Sequence, residues 1–322
     1  VTEEGVSPFL YTEYSMSGDI KKIAVIDVGS NSTRLLIAGV HRDGSVEPLH
    51  TDLITTRLGE GINEGLLLPG AMERTVQAMA CFKTVISNWN VHKLVVTATS
   101  AVRDAANRQE FIDLVRFETG YKIMVLSGPE EAFFSYYGVG KGLGEGLQGL
   151  AVVDVGGGST EFTWTERNSL VCGSTRVGAV RMTEGGHTDG KIIELLMPVL
   201  AGVKKSCPAA VVGVGGTITN LAAMDLKLTK YDPDRVHGHR LYIEGVHDLL
   251  EALTALGTEE RKKLPGLQPA RADIIVAGSR IILLIMKELG LPYLIVSETD
   301  LLYGLASDSI YNVERKNVIH YQ

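Results

Sequence analysis

Residues 23–33 read IAVIDVGSNST and residues 150–160 read LAVVDVGGGST, identical at seven of eleven positions with a constant offset of 127. In each copy a β-branched apolar run ends in Asp-x-Gly, passes through small residues and enters a second apolar run, at 35–40 and 162–164. That is the pattern of strand, tight turn, strand. Solenoid repeats recur every 20 to 50 residues, roughly, so an echo at close to half the chain indicates two copies of one larger unit. Two related lobes are expected to face each other.

Further strands are predicted at 94–97, 123–126, 210–213 and 293–296. Helical spacing of apolar residues occupies 71–89, 108–117, 129–137, 191–203, 218–224, 245–256 and 270–289. Alternating strands and helices imply an α/β architecture of layered sheets. The glycine-rich stretch 138–149 reads as a hinge between the lobes. The GVGKGLG run inside it follows a helical pattern and lacks the strand-to-helix setting of a nucleotide-binding loop.

Bulk composition narrows the class. A chain of 322 residues, 45% hydrophobic and 21% charged, can pack two interiors and is not disordered. The longest apolar stretch, 274–286, is too short for a bilayer and carries Ser279 and Arg280, so no membrane partner is expected. Three scattered cysteines, Cys81, Cys172 and Cys207, form no CxxC pair, and no leader-like segment is evident at 1–19. A reducing cytoplasm is therefore the expected location. Acidic residues outnumber basic ones by 38 to 31, for a net charge of −7, which argues against nucleic acid as a partner. A polyanionic substrate would need a local basic groove.

A turn that bends through glycines exposes successive N–H groups and forms a concavity for anions. The first turn supplies Asp27, Gly29, Ser30, Asn31 and Ser32, and the second supplies Gly156, Gly157, Gly158, Ser159 and Thr160. The aspartates at the strand ends, and Glu161 after the second turn, suit Mg²⁺, which is usually held by one or two carboxylates plus substrate oxygens. Asp154 and Glu161 are the assigned metal ligands. One such turn alone reads more readily as a plain hairpin, and it is the duplication that favours a two-sided phosphate grip. A third cluster, Gly215, Gly216 and Thr217, follows a strand and opens a helix, where either anion contact or close packing would explain it. No GxxxxGK[ST] run occurs, which excludes a P-loop. His237 and His239 form an HxH pair with no third ligand in view, and read as loop histidines.

In this order the three glycine motifs resemble those of the actin, sugar-kinase and heat-shock-chaperone superfamily. Within it, the chain resembles the exopolyphosphatase and guanosine pentaphosphatase family. The matching blocks are IDVGSNSTRLLI (26–37), RLGEGI (57–62), TATSAVRDAAN (97–107), SGPEEA (127–132), VVDVGGGSTEF (152–162), VGAVRMTE (177–184), VGVGGT (212–217) and RADIIVAG (271–278). The resemblance implies two actin-like (ribonuclease H-like) lobes with a phosphate-binding cleft between them. The expected division is an arm at 1–20, a first lobe at 21–140 completed by 299–322, and a second lobe at 141–298.

The resemblance also implies roles. The catalytic carboxylate falls on Glu131, with Glu130 the adjacent fallback, and a phosphate-binding arginine falls on Arg103, with Arg34 a weaker candidate. The implied activity is Mg²⁺-dependent hydrolysis of the terminal phosphoanhydride of inorganic polyphosphate, and the implied assembly is a homodimer. Guanosine pentaphosphate hydrolysis is the near alternative. A nucleotide-dependent kinase and a non-catalytic polyphosphate-binding protein are the alternatives from other classes. The likeness departs after Val296, where Ser297, Glu298, Thr299 and Asp300 stand in place of an Arg-Gly pair.

Overall fold

The computed structural model describes residues 20–143, 149–311 and 318–321. The expected arm, apart from Ile20, lies outside the described residues. The first sheet is built from β1 (Lys21–Val28), β2 (Ser32–Val40), β3 (Val46–Thr55), β4 (Lys93–Ala98) and β5 (Met124–Val125), in the order β3-β2-β1-β4-β5. Helices α1 (Pro69–Ser87), α2 (Ser100–Asp104), α3 (Arg108–Thr119) and α4 (Gly128–Leu143) connect or follow them.

The second sheet contains β6 (Leu150–Val155), β7 (Thr160–Glu166), β8 (Ser169–Thr175), β9 (Ala210–Val214), β10 (Arg240–Tyr242), β11 (Tyr293–Val296) and β12 (Val318–His320), in the order β10-β11-β9-β6-β7-β8-β12. Its helices are α5 (Ala179–Gly185), α6 (Asp189–Ser206), α7 (Gly216–Asp225), α8 (Pro233–Val236), α9 (Ile243–Ala255), α10 (Thr258–Arg261) and α11 (Ile275–Leu289), and α12 (Leu301–Tyr311) follows β11. The inner five strands, β8-β7-β6-β9-β11, repeat the first sheet: an antiparallel meander, then two parallel additions. These are two actin-like lobes of one design.

The apolar run of β1 follows from burial on both faces, as expected for a central strand. Ala24, Ile26 and Val28 pack with α1 and α3, while Ile23 and Val25 pack with Phe133, Phe134, Leu301 and Leu305 of α4 and α12. The second lobe has its own core around Phe162, Trp164, Leu196 and Ile281.

Two expectations need correction. The stretch 138–143 is not a hinge but the last part of α4, and 144–148 lie outside the described residues. Its glycines serve helix crossing: a β-carbon on Gly138 would lie 1.8 Å from the Asp300 carbonyl oxygen, and one on Gly304 would lie 2.1 Å from that of Phe134. The chain end also divides between lobes. Helix α12 packs against β1 and β2, but β12 pairs in parallel with β8, so 318–320 extend the second sheet and do not complete the first. Pairing there covers an edge that would otherwise expose unpaired backbone groups.

Candidate active site

The two turns close in the same way. Gly29 N–H donates to the Ser32 carbonyl at 3.1 Å, and Gly156 N–H donates to that of Ser159 at 3.0 Å. Between these closures, the N–H groups of Ser30, Asn31, Gly157 and Gly158 have no acceptor among the described residues. The turns also meet. A β-carbon on Gly157 would lie 3.0 Å from Ser30 Cβ, and one on Gly158 would lie 2.7 Å from Ser30 Oγ and 2.5 Å from Ser100 Oγ. A side chain at 158 would have to displace the Ser30 and Ser100 hydroxyls of the first lobe.

Neighbouring segments hold this approach. The RLGEGI loop supports the first turn, with Gly59 N–H donating to the Ser30 carbonyl at 2.7 Å and Arg57 N–H to that of Asn31 at 2.9 Å. Across the lobes, Gly61 N–H donates to the Glu184 carboxylate at 3.0 Å. Arg181, almost fully buried, donates to the Gly158 carbonyl at 2.8 Å and to Asp104 at 2.7 Å.

A cleft of about 430 Å³ opens along the turns. Asp27, Gly29, Ser30, Asn31 and Ser32 line it from the first lobe, and Asp154, Gly156, Gly157 and Ser159 from the second. Gly215, Gly216 and Thr217 join them, as does Glu131. Four predicted residues do not reach the wall. Gly158 is spent on lobe contact, and Thr160 Oγ1 donates to the Val177 carbonyl at 2.6 Å. Arg103 and Glu161 lie behind the lining.

Glu131 and Glu130 separate cleanly. Ser127 and Glu130 form a reciprocal cap on α4: Ser127 N–H and Oγ donate to Glu130 Oε2 at 2.9 and 2.7 Å. Glu131 instead turns inward, 7% exposed, and accepts from Arg103 Nη1 at 2.7 Å. Arg103 also donates to the Leu126 carbonyl at 3.1 Å and approaches Ser159 Oγ at 3.4 Å. One nitrogen of the guanidinium is thus engaged by Glu131, and Arg103 itself does not line the cleft. Burial and then the negative charge of Glu161 push the Glu131 carboxyl well above the ordinary carboxylate range, with Arg103 opposing.

The residues facing the strand-end aspartates differ between the copies. Arg34 lies opposite Asp27 in register and donates to it at 2.8 Å, while its other nitrogen pairs with Asp300 at the start of α12. Burial works against the Arg34 charge, but Asp300 and Asp27 outweigh it. Glu161 lies opposite Asp154. Burial and then Asp300 push Asp154 up to about 6, and burial pushes Glu161 up to about 7 against the pull of Arg103. Ser135 Oγ donates to Asp154 at 2.7 Å and Ser174 Oγ to Glu161 at 2.7 Å.

Two buried carboxylate oxygens, Asp27 Oδ1 and Glu161 Oε2, have no hydrogen-bond partner among the described residues. Among the described residues no three His, Cys, Asp or Glu side chains converge as a metal cage. Orphaned acid oxygens near a phosphate cleft fit a cation of the Mg²⁺ kind, which takes few protein ligands and completes its shell with substrate oxygens and water. The HxH histidines diverge: His237 Nδ1 accepts from Glu298 N–H at 3.2 Å and His239 Nε2 meets Asp225 at 2.7 Å.

Arg271 escaped sequence reasoning. It lines the cleft, forms no ion pair among the described residues, and sits so close to the third turn that a β-carbon on Gly216 would lie 2.1 Å from its guanidinium. Burial, then Arg34, lower its pKa to about 10, so it remains charged at neutral pH. The signal available was its position at the head of the 271–278 block, just before the apolar α11. Asp300 was visible only as a departure from the expected Arg-Gly pair.

Two actin-like lobes closing glycine turns around a cleft, with a buried acid at its side, define a class of enzymes that work on phosphoryl groups. Residues 36–314 match the Ppx/GppA phosphatase family, and the chain belongs to that family of hydrolases. Exopolyphosphatase 2 of Mycobacterium tuberculosis is 31% identical over 312 residues, covering 89% of this chain and 98% of the relative. A bifunctional 3-dehydroquinate synthase/phosphatase of Fusobacterium nucleatum is 31% identical over 311 residues, covering 90% of this chain but 46% of that protein, so the chain spans about half its length. The crystal structure of an exopolyphosphatase from Cytophaga hutchinsonii superposes with a TM-score of 0.84 at 25% identity, covering 92% of this chain and 99% of that one. Among the described residues no helix is long and apolar enough to cross a membrane.

Proposed function

We propose that the protein is an exopolyphosphatase that removes the terminal phosphate of inorganic polyphosphate in the cytoplasm. The observation that carries this reading is the meeting of two like turns, Gly29–Ser32 closed at 3.1 Å and Gly156–Ser159 closed at 3.0 Å, beside a buried Glu131. The terminal phosphoryl group lies between the turns, where free N–H groups of both lobes hydrogen-bond its oxygens. Arg271, which forms no ion pair among the described residues, and Arg34 supply positive charge along the chain of phosphates.

Glu131 orients and deprotonates the attacking water. Burial raises its pKa, which strengthens it as a base, and Arg103 holds one of its carboxylate oxygens. Asp154 on the wall, with Glu161 behind it, would hold Mg²⁺, which supplies further positive charge to phosphate oxygens when bound. Positioning and charge stabilisation do most of the work in such transfers. A homodimer is the proposed assembly, to be checked by light scattering on the purified chain.

Purified protein with Mg²⁺ is to be assayed in parallel on polyphosphate, guanosine pentaphosphate and ATP. The expected result is orthophosphate released from polyphosphate without any acceptor. Release from guanosine pentaphosphate alone would transfer the reading to that smaller anion. Binding of polyphosphate with no phosphate released would contradict a catalytic role.

A further inference from the structure

The second turn is held carbonyl by carbonyl. At the start of α5, Ala179 N–H donates to the Gly156 carbonyl at 3.0 Å, and Val180 and Arg181 N–H donate to that of Gly157 at 2.8 and 3.1 Å. A β-carbon on Gly178 would lie 2.5 Å from the Gly157 carbonyl, so glycine there lets the helix come this close. The next helix N–H, that of Met182, is taken by the Gly178 carbonyl at 2.8 Å. The Gly158 carbonyl is met instead by a side chain, with Arg181 Nε donating to it at 2.8 Å.

Among the described residues every peptide bond is trans, so each N–H lies antiparallel to the carbonyl of the same unit. Carbonyls fixed on α5 therefore aim the N–H groups of Gly157, Gly158 and Ser159 away from that helix. Ser159 lines the cleft and Arg181 does not. In the first turn the Ser30 and Asn31 carbonyls are held by the backbone N–H groups of Gly59 and Arg57. The aim of Ser159 N–H, by contrast, depends on one side chain. That side chain is itself fixed: it is almost fully buried, and its Nη2 donates to Asp104 of the first lobe at 2.7 Å. Asp104 also pairs with Arg176 at 3.2 Å, so it keeps a counter-ion without Arg181. Reaching a carbonyl and a carboxylate at once with two nitrogens needs the planar fork of arginine.

We propose that Arg181 is a positioning residue for the transfer step: by holding the Gly158 carbonyl it aims the Ser159 N–H at the transferring phosphoryl group, where that donor meets the charge on its oxygens in the transition state. This rests on the hydrolase reading above. Arg181 acts through the turn and touches neither substrate nor attacking water, so its effect belongs in kcat.

The test measures kcat and KM on polyphosphate and on guanosine pentaphosphate, with Mg²⁺, for the wild type, Arg181→Lys and Asp104→Asn. Each rate is taken per folded molecule, from the unfolding curve of that variant, so that loss of fold does not count as loss of rate. Lysine keeps a cation beside Asp104 but brings one nitrogen where arginine brings two. The expected result for Arg181→Lys is a fall in kcat of roughly 10- to 100-fold, with KM moved by less than about threefold. Asp104→Asn weakens the contact between lobes but leaves Nε on the Gly158 carbonyl, and should lower kcat by less than about fivefold. An unchanged kcat in Arg181→Lys, a loss carried by KM, or an equal loss in Asp104→Asn overturns the proposal and leaves the hydrolase reading intact. A wild type that releases orthophosphate from neither substrate overturns both.

Discussion

The two strand–turn–strand copies share a backbone and differ in charge. Val28 pairs with Thr33 and Val155 with Thr160, and each first glycine closes onto the carbonyl three residues later. One step further from each turn, however, Asp27 faces Arg34 while Asp154 faces Glu161. In the first lobe the strand-end acid is paired with an arginine, although burial still raises its pKa. In the second lobe two acids are stacked, with Glu131 close enough to feel both. Duplication thus preserved the cradle, which either lobe needs to hold an anion, and changed the facing residue. The second copy became the acidic side, suited to a cation and a base, and the first became the fixed side, tied through Arg34 and Asp300 to α12.

The largest effect expected from this asymmetry is catalytic. Glu131→Gln should lower kcat by roughly 10²- to 10⁴-fold while KM moves only a few-fold, as steady-state phosphate release would show. An equal loss in KM would instead make Glu131 a binding group. Next come the two facing residues, which should respond in opposite directions. Arg34→Met leaves Asp27 and Asp300 buried without their counter-ion and should cost roughly 3 to 5 kcal/mol in urea unfolding. Glu161→Gln removes an acid from an acidic site and should raise the unfolding midpoint of the metal-free protein above neutral pH. Loss of stability in both variants would break the comparison.

The third effect is on pH. Asp154 and Glu161 have folded-state values of about 6 and about 7, above their ordinary 3.8 and 4.5. A raised carboxyl binds its proton more tightly when folded, so its contribution to stability is complete below the unfolded value and is lost as pH rises through the folded one. Metal-free protein should therefore be less stable at pH 8 than at pH 5, by an amount on the order of a few kcal/mol at most, and melt at a lower temperature, and Mg²⁺ should recover part of the loss at pH 8. A midpoint that rises steadily over that window would contradict the burial of these acids.

Much of this was legible because the decisive features are local. The echoed turns declare themselves in eleven residues, and α11 follows from the apolar spacing before Gly290. Features that depend on distant partners were not legible. Strand β3 is polar and half exposed along its length, so it carries no apolar run to betray it. Glycines 138 and 142 look like a linker until α12 is laid across α4. The ion pair that Arg103 makes with Glu131, 28 positions later, has no local sign in the sequence. Arg271 acquires meaning only over Gly216, 55 positions earlier in the chain.

The most direct test of the account is the crystal structure of the Glu131→Gln variant with Mg²⁺ and a short polyphosphate. The account predicts the terminal phosphate between the 29–32 and 156–159 turns, hydrogen-bonded by backbone N–H groups of both, with the residue 131 side chain facing it through a water. A terminal phosphate held by one turn alone, or lying away from both, would contradict it.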